Sequence, residues 1–355
     1  MKKNVIIILI SILLIVVALG GGYYLIQNVP LRPAPASSTI QLEPVESSDF
    51  VMDVLVTQKG YDENCKETFA GVIATFQELE GRLSRYVAGS EISQINDAAG
   101  LNSVAVSEET YNLLKQAVAL CEESGGVFDI TMGAVIDLWG FGTDTQRVPS
   151  DEEIASALEH TGYQKIVFDD ENRTVKLPDP FMRIDLGGIV KGYATDLADA
   201  AYTEAGLSSV LLSTNSSILM KGPKPDGESF TIGVRDPRGS VNDYVGTLTI
   251  DNAFIGTSGD YERYFEMNGK RYHHIFDPAT GKPAQNGLTG ITVVHTNGMQ
   301  ADYLSTYLFI MGKDYVVEHL NDYEIIAVDD EKNVYVSDKL KDKFSFDQTS
   351  GYTLN

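Results

Sequence analysis

Asp302 and Thr306 stand four residues apart in the run Ala301-Asp302-Tyr303-Leu304-Ser305-Thr306, inside a stretch whose pattern predicts a helix over residues 299–311. At that spacing both side chains lie on one helix face, one turn apart. A carboxylate and a hydroxyl so placed make half of an oxygen-only site for a hard cation such as Mg2+. The competing reading is a solvated Asp302, with the Thr306 hydroxyl bonded back to the carbonyl of Asp302.

Four other stretches carry residues suited to chemistry. Arg183 to Leu186 alternates polar and apolar residues, which predicts a strand running into Gly187-Gly188 and then a helix from Ile189. Two glycines at a helix N-terminus let backbone N–H groups approach a phosphate, and Lys191 adds a full charge in the first turn. The loop-like run Gly125-Gly126-Val127-Phe128-Asp129 offers Phe128 either as a ligand-facing aromatic or as a core residue behind a helix cap. Thr257-Ser258-Gly259 follows a short strand over residues 253–255 and reads as a turn whose hydroxyls and backbone could hold phosphate, with Arg263 as counter-charge. His273 and His274 are two of only five histidines, and they precede Asp277-Pro278, a turn former. One of them could act as a general base, and either could be structural. Together, a hard-cation site, a glycine turn at a helix N-terminus and a nearby His suit cleavage of a pyrophosphate.

The elements that must position these groups form an α+β body with an antiparallel-rich sheet region and no regular βαβ alternation. Residues 66–85 predict an amphipathic helix with Phe69, Val72, Ile73, Phe76, Leu79 and Leu83 inward. Ser90 and Ser107 read as N-caps, and Ser150 with Glu153 as a capping box. Residues 165–168 and 174–177 predict a hairpin, as do residues 324–328 and 333–336.

The chain has 355 residues and a formal net charge of −23, which argues against a nucleic-acid partner. Any phosphate site must therefore be locally positive or carry a metal. Cys65 and Cys121 are too far apart for a zinc knuckle or redox pair and read as buried free thiols. Lys2 and Lys3 precede an apolar run that begins at residue 5 and extends to residue 26. This predicts a single-pass membrane anchor with the rest of the chain outside the cytoplasm; a cleaved signal peptide is the alternative. The expected organisation is an anchor over 1–26, a Pro- and Ser-containing tether over 27–48, one domain over 49–343 and a frayed polar tail over 344–355.

In their order along the chain these stretches resemble the ApbE family of FAD:protein FMN transferases. The matching pieces are Ser84-Arg85-Tyr86, Ser90-Glu91-Ile92-Ser93-Gln94-Ile95-Asn96, Gly125 to Thr131, Leu138-Trp139-Gly140-Phe141-Gly142, Asp185 to Gly192, Thr257 to Tyr261, His274 to Gly281 and Ala301 to Thr306. The resemblance implies a mixed α/β fold with two packed lobes. It implies a Mg2+-dependent enzyme outside the cytoplasm, with FAD as substrate, that moves FMN onto a Thr or Ser hydroxyl of an acceptor flavoprotein and releases AMP. Such acceptors include redox pump subunits and extracellular electron-transfer proteins. By the same resemblance Asp302, Thr306 and the carbonyl of Gly188 match metal ligands, and His274 the base. Tyr86 matches the aromatic against the flavin, and Lys191, Thr257, Ser258 and Gly259 match the FAD pocket, with Phe128 nearby and Asp185 supporting it. Two departures stand out: Met52-Asp53-Val54 where relatives carry Met-Gly-Thr, and Asn215-Ser216-Ser217 where they carry two glycines and Asn or Asp. A flavin-binding protein without transferase activity, or an FAD pyrophosphatase, are the alternative functions.

Overall fold

The computed structural model describes residues 43–355. The expected anchor and most of the expected tether lie outside the described residues; among these, no helix is long and apolar enough to cross a membrane. Nine strands form the central sheet: β1 (Val45–Val51), β2 (Val54–Gly60), β3 (Val210–Ser213), β4 (Ser217–Lys221), β5 (Ala253–Gly259), β6 (Leu288–His295), β7 (Ile325–Asp329), β8 (Asn333–Val336) and β9 (Thr353–Leu354). Their order in space is their order in the chain, and every neighbouring pair is antiparallel except the last. The long excursion between β2 and β3 holds α1 (Cys65–Leu83), α2 (Glu91–Asp97), α3 (Glu108–Glu123), α4 (Gly133–Trp139), α5 (Asp151–Glu159) and α6 (Val190–Glu204); α7 (Gly298–Glu318) follows β6.

Both faces of the sheet are covered, and the alternation of strand side chains decides what goes where. Phe254 of β5 joins the cluster made with α1, α6 and α7, whereas its neighbour Ile255 packs with Phe230, Val234, Val245 and Leu248 of a separate three-stranded sheet. The predicted inward stripe of α1 is buried throughout. Ser90 and Ser107 cap their helices, and Ser150 with Glu153 forms the full capping box.

Several expectations are corrected. Residues 45–48 belong to β1 and not to a tether; they lie in an edge strand with alternate side chains exposed, so no apolar run announces it. The tail is not frayed: Phe344–Phe346 pairs with Tyr244–Ile250, Thr353–Leu354 adds to β8, and Tyr352 is buried. Thr257, Ser258 and Gly259 do not form a turn but continue β5, paired with β6. Residues 183–186 are extended but make only one bridge, from Arg183 to Met132. The Ile184 N–H goes instead to the Asn96 side chain at 2.7 Å and the Asp185 N–H to the Ile130 carbonyl at 2.8 Å. The two helices expected near the C-terminus are both present, as the two arms of α7 on either side of the non-helical Gly312 (φ 86°). The described residues form one compact unit, and the sheet runs through it without a break.

Three glycines set how closely α7 approaches its neighbours. A Cβ on Gly192 of α6 would lie 2.1 Å from the Gly298 carbonyl oxygen, and one on Gly298 would lie 2.3 Å from Thr195 Oγ1. A Cβ on Gly256 of β5 would lie 2.4 Å from the Ala301 carbonyl oxygen. Gly256→Ala must therefore push α7 off the sheet. The expected result is a loss of about 1–3 kcal/mol, seen as a lower urea midpoint; an unchanged midpoint would show that α7 is free to shift.

Candidate active site

The first turn of α6 points at the second turn of α7. Backbone N–H groups at a helix start lack partners within the helix and carry partial positive charge. The Gly192 N–H is one of these, and it donates to Asp302 Oδ2 at 2.6 Å. The reverse tie also exists: the Gly298 and Met299 N–H groups, at the start of α7, donate to Asp196 of α6 at 2.6 and 2.9 Å. The close glycine crossing makes both ties possible.

Asp302 is 6% exposed. Its second oxygen, Oδ1, accepts the Ser217 hydroxyl at 2.7 Å. Burial pushes its pKa up to about 6, opposed by the Lys191 charge and by these two hydrogen bonds. No cationic side chain is within ion-pair distance of it among the described residues. It is thus not the solvated residue of the competing reading. Nor does Thr306 bond back to it: the Asp302 carbonyl accepts the Ser305 hydroxyl at 2.9 Å, and Thr306 Oγ1 lies 3.5 Å from Ser258 Oγ. Ser258 Oγ is also 2.9 Å from Ser305 Oγ, so β5 and α7 meet along a row of hydroxyls. Gly188 borders the same place, since a Cβ there would sit 3.7 Å from Thr306 Oγ1.

This donor set fits a hard cation. A buried carboxylate without an ion-pair partner is costly, and a divalent cation would supply the missing charge. Neutral oxygens from Thr306 and Gly188 are the appropriate companions. Among the described residues no group of three or more His, Cys, Asp or Glu could hold a metal, so a cation at Asp302 would need hydroxyl and carbonyl oxygen as well.

The two histidines have separate roles. His273 is buried, with Nε2 against the Ala284 carbonyl at 2.8 Å and Nδ1 accepting the Ile275 N–H at 3.3 Å, so both nitrogens are spent. His274 is half-buried, and its Nδ1 lies 3.2 Å from the Arg263 carbonyl. A carbonyl only accepts, so Nδ1 carries the proton and Nε2 keeps a free lone pair. Desolvation first, then the Lys191 charge, push its pKa down to about 3. The ring is neutral at pH 7. Lys191 itself has its pKa lowered by burial, with Asp302 the main attraction and Arg263 opposing. No carboxylate lies within ion-pair distance of Lys191 among the described residues. The expected counter-charge Arg263 ion-pairs with Asp53 at 2.8 Å.

Tyr86 is 70% exposed, a bare aromatic with Arg85 5.2 Å from its ring centre. Burial first, then the Asp185 charge, raise the pKa of its hydroxyl. Asp185 is a support: it accepts the Gly187 N–H at 2.8 Å and pairs with the buried Arg85 at 3.4 Å. Phe128 is corrected from a ligand-facing ring to a core one. It is 6% exposed, stacks edge-on with Tyr303, and would lie 2.8 Å from a Cβ on Gly188. The absent Cβ at Gly188 thus admits Phe128 beneath the turn. Thr257 pairs with Thr292 at 3.1 Å, and Gly259 lies under the Tyr261 ring, 2.3 Å from where a Cβ would be. The Leu138 to Gly142 stretch braces the hairpin that carries His274: Trp139 Nε1 donates to the Gly281 carbonyl at 3.0 Å and its ring packs on Tyr272 and Phe276. Gly192, Gly256, Gly298, Asp196 and Ser217 were missed as site-building residues, because their roles arise only where α6, α7 and β5 cross.

A model of the ApbE family matches residues 51–328. The chain belongs to the ApbE family. An FAD:protein FMN transferase of Klebsiella pneumoniae is 30% identical over 304 residues, spanning 85% of this chain and 93% of its own length. One from Vibrio cholerae is 31% identical over 272 residues, spanning 75% and 81%. The crystal structure of the ApbE protein of Thermotoga maritima superposes with a TM-score of 0.78 at 35% identity, over 85% of this chain and 99% of its own. The apo flavinyl transferase ApbE of Pseudomonas stutzeri gives 0.75 at 26% identity, over 85% and 97%. The ApbE fold is accordingly the mixed α/β arrangement described above.

The electrostatics give a direct check. His274 should remain neutral across pH 5–8 in an NMR titration of its ring C–H signals, and Lys191→Met should raise its pKa by removing a cation that lowers it. A wild-type value near the ordinary 6.5 would overturn the account of the base.

Proposed function

We propose that the chain transfers FMN from FAD onto a Thr or Ser hydroxyl of an acceptor protein and releases AMP. The observation that carries this reading is a buried, unpaired Asp302 with the Lys191 charge acting on both it and a neutral His274. The names of the relatives, FAD:protein FMN transferase, support the substrate and the group moved. Asp302, Thr306 and the Gly188 carbonyl would hold Mg2+, which when bound supplies counter-charge to the pyrophosphate.

The chain's own residues do the rest. The Lys191 ammonium offsets phosphate charge in a molecule that is otherwise strongly acidic. The exposed Tyr86 ring gives the flavin a stacking surface. His274 Nε2 takes the proton from the incoming hydroxyl as its oxygen attacks the FMN phosphorus. The new phosphoester P–O bond forms as the P–O bond to the bridging pyrophosphate oxygen breaks, and that oxygen leaves on AMP. The acceptor would be a redox pump subunit or an extracellular electron-transfer protein. The apolar N-terminal run behind Lys2 and Lys3 would anchor the enzyme in the cell membrane by a single pass, with the catalytic domain outside the cytoplasm.

Full-length protein incubated with FAD, Mg2+ and a candidate acceptor should give covalent flavin on the acceptor and AMP in equal amounts. Chelation should stop it, and Asp302→Ala should reduce it to background. His274→Ala should slow it by about 100- to 10,000-fold. Free FMN without labelled acceptor would mark a pyrophosphatase, and intact FAD a binding protein; either would overturn the transferase reading.

A further inference from the structure

Ser217 opens β4, and the only partner of its hydroxyl among the described residues is Asp302 Oδ1, at 2.7 Å. Both side chains are buried, Ser217 at 1% exposure. Because the Gly192 N–H holds the other oxygen at 2.6 Å, the carboxylate is fixed at two points by two elements. That removes rotation about its terminal torsion, which is otherwise soft. Each carboxylate oxygen still has a second lone pair to offer.

The turn that presents Ser217 is itself over-determined. The Ser217 carbonyl accepts from the Thr214 N–H at 2.9 Å and from the Thr214 hydroxyl at 3.0 Å. The Ser216 carbonyl accepts the Thr257 N–H at 2.8 Å, which ties the turn to β5. Asn215 sits at φ 71° and donates its amide to Glu262 at 3.0 Å. A hydroxyl on so constrained a turn is a fixed donor, and it is aimed at the Asp302 carboxylate.

We propose that Ser217 is a positioning residue for the cation site, holding the Asp302 carboxylate in the orientation that receives a hard divalent cation. The inference rests on the proposed cation site. In this chain the Asn215-Ser216-Ser217 turn is then a working part of the site: its last residue presents a hydroxyl donor to Asp302.

The test uses Mn2+ as a spectroscopic probe, with full-length protein and no FAD. Free Mn2+ is counted by electron paramagnetic resonance for the wild type, Ser217→Ala, Ser217→Cys and Asp302→Ala, and each metal-free protein is melted. Ser217→Ala should bind Mn2+ about 10- to 100-fold more weakly, as is typical when a group that orients a ligand is removed. Its metal-free melting temperature should hold. Binding within twofold of wild type overturns the proposal. Should Ser217→Ala melt early, Ser217→Cys keeps the volume with a much weaker donor: weaker binding supports the proposal and equal binding overturns it. Equal binding by wild type and Asp302→Ala would instead sink the cation site itself, a result distinct from a failure of Ser217 alone.

Discussion

The crossing of α6 and α7 at Gly192 and Gly298 is the constraint on which the site depends. With no Cβ on either residue, the two backbones meet closely enough for each helix to lend its first-turn N–H groups to a carboxylate on the other. This exchange satisfies donors that a helix start leaves unpaired. It also places Asp302 where the positive end of α6 favours its ionised form. Gly256 performs the same service on the sheet side, letting α7 lie down on β5 so that the hydroxyls of Ser258, Ser305 and Thr306 gather next to it. The close contacts therefore serve packing and electrostatics at once.

A chain of net charge −23 is a poor receptor for an anionic dinucleotide unless charge is concentrated locally. Here the concentration comes from Lys191, free of any ion pair among the described residues, and from the N-terminus of α6. The same Lys191 charge helps keep His274 neutral and helps keep Asp302 ionised. One ammonium thus biases the proposed base and the proposed ligand in the directions that each would need. The imidazole tautomer is set separately, by the Arg263 carbonyl.

Much of this was legible in the sequence, and the part that was not has a physical cause. Amphipathic helices and caps are local patterns, so α1 and the Ser90, Ser107 and Ser150 caps could be read directly. The i,i+4 pairing of Asp302 and Thr306 is likewise local. What escaped was whatever depends on a crossing. Ser217 has no visible role, only an unusual place in the pattern, until β4 is laid beside α7, and Gly192 is an unfavourable helix residue until Gly298 is seen against it. Phe128 was misplaced because a buried ring beside a site and an exposed ring within it have the same local signature. Thr257 to Gly259 look like a turn, yet they continue β5, where pairing with β6 overrides their weak strand preference.

The two departures from the family pattern share one geometry. Met52 at φ 55°, Asp53 at φ 61° and Asn215 at φ 71° all occupy the left-handed region that glycine takes freely. Asn and Asp tolerate it; Met does not, and such a residue costs on the order of 1–2 kcal/mol. Each is held by a tie. The Met52 N–H donates to Glu80, the Asp53 carboxylate pairs with Arg263, and the Asn215 amide donates to Glu262. Backbone freedom has been exchanged for side-chain anchors. Those anchors end on Arg263, whose carbonyl sets the His274 tautomer, and on the turn that presents Ser217 to Asp302. The substitutions therefore leave the base and the ligand in place, and they tighten the two turns that hold them.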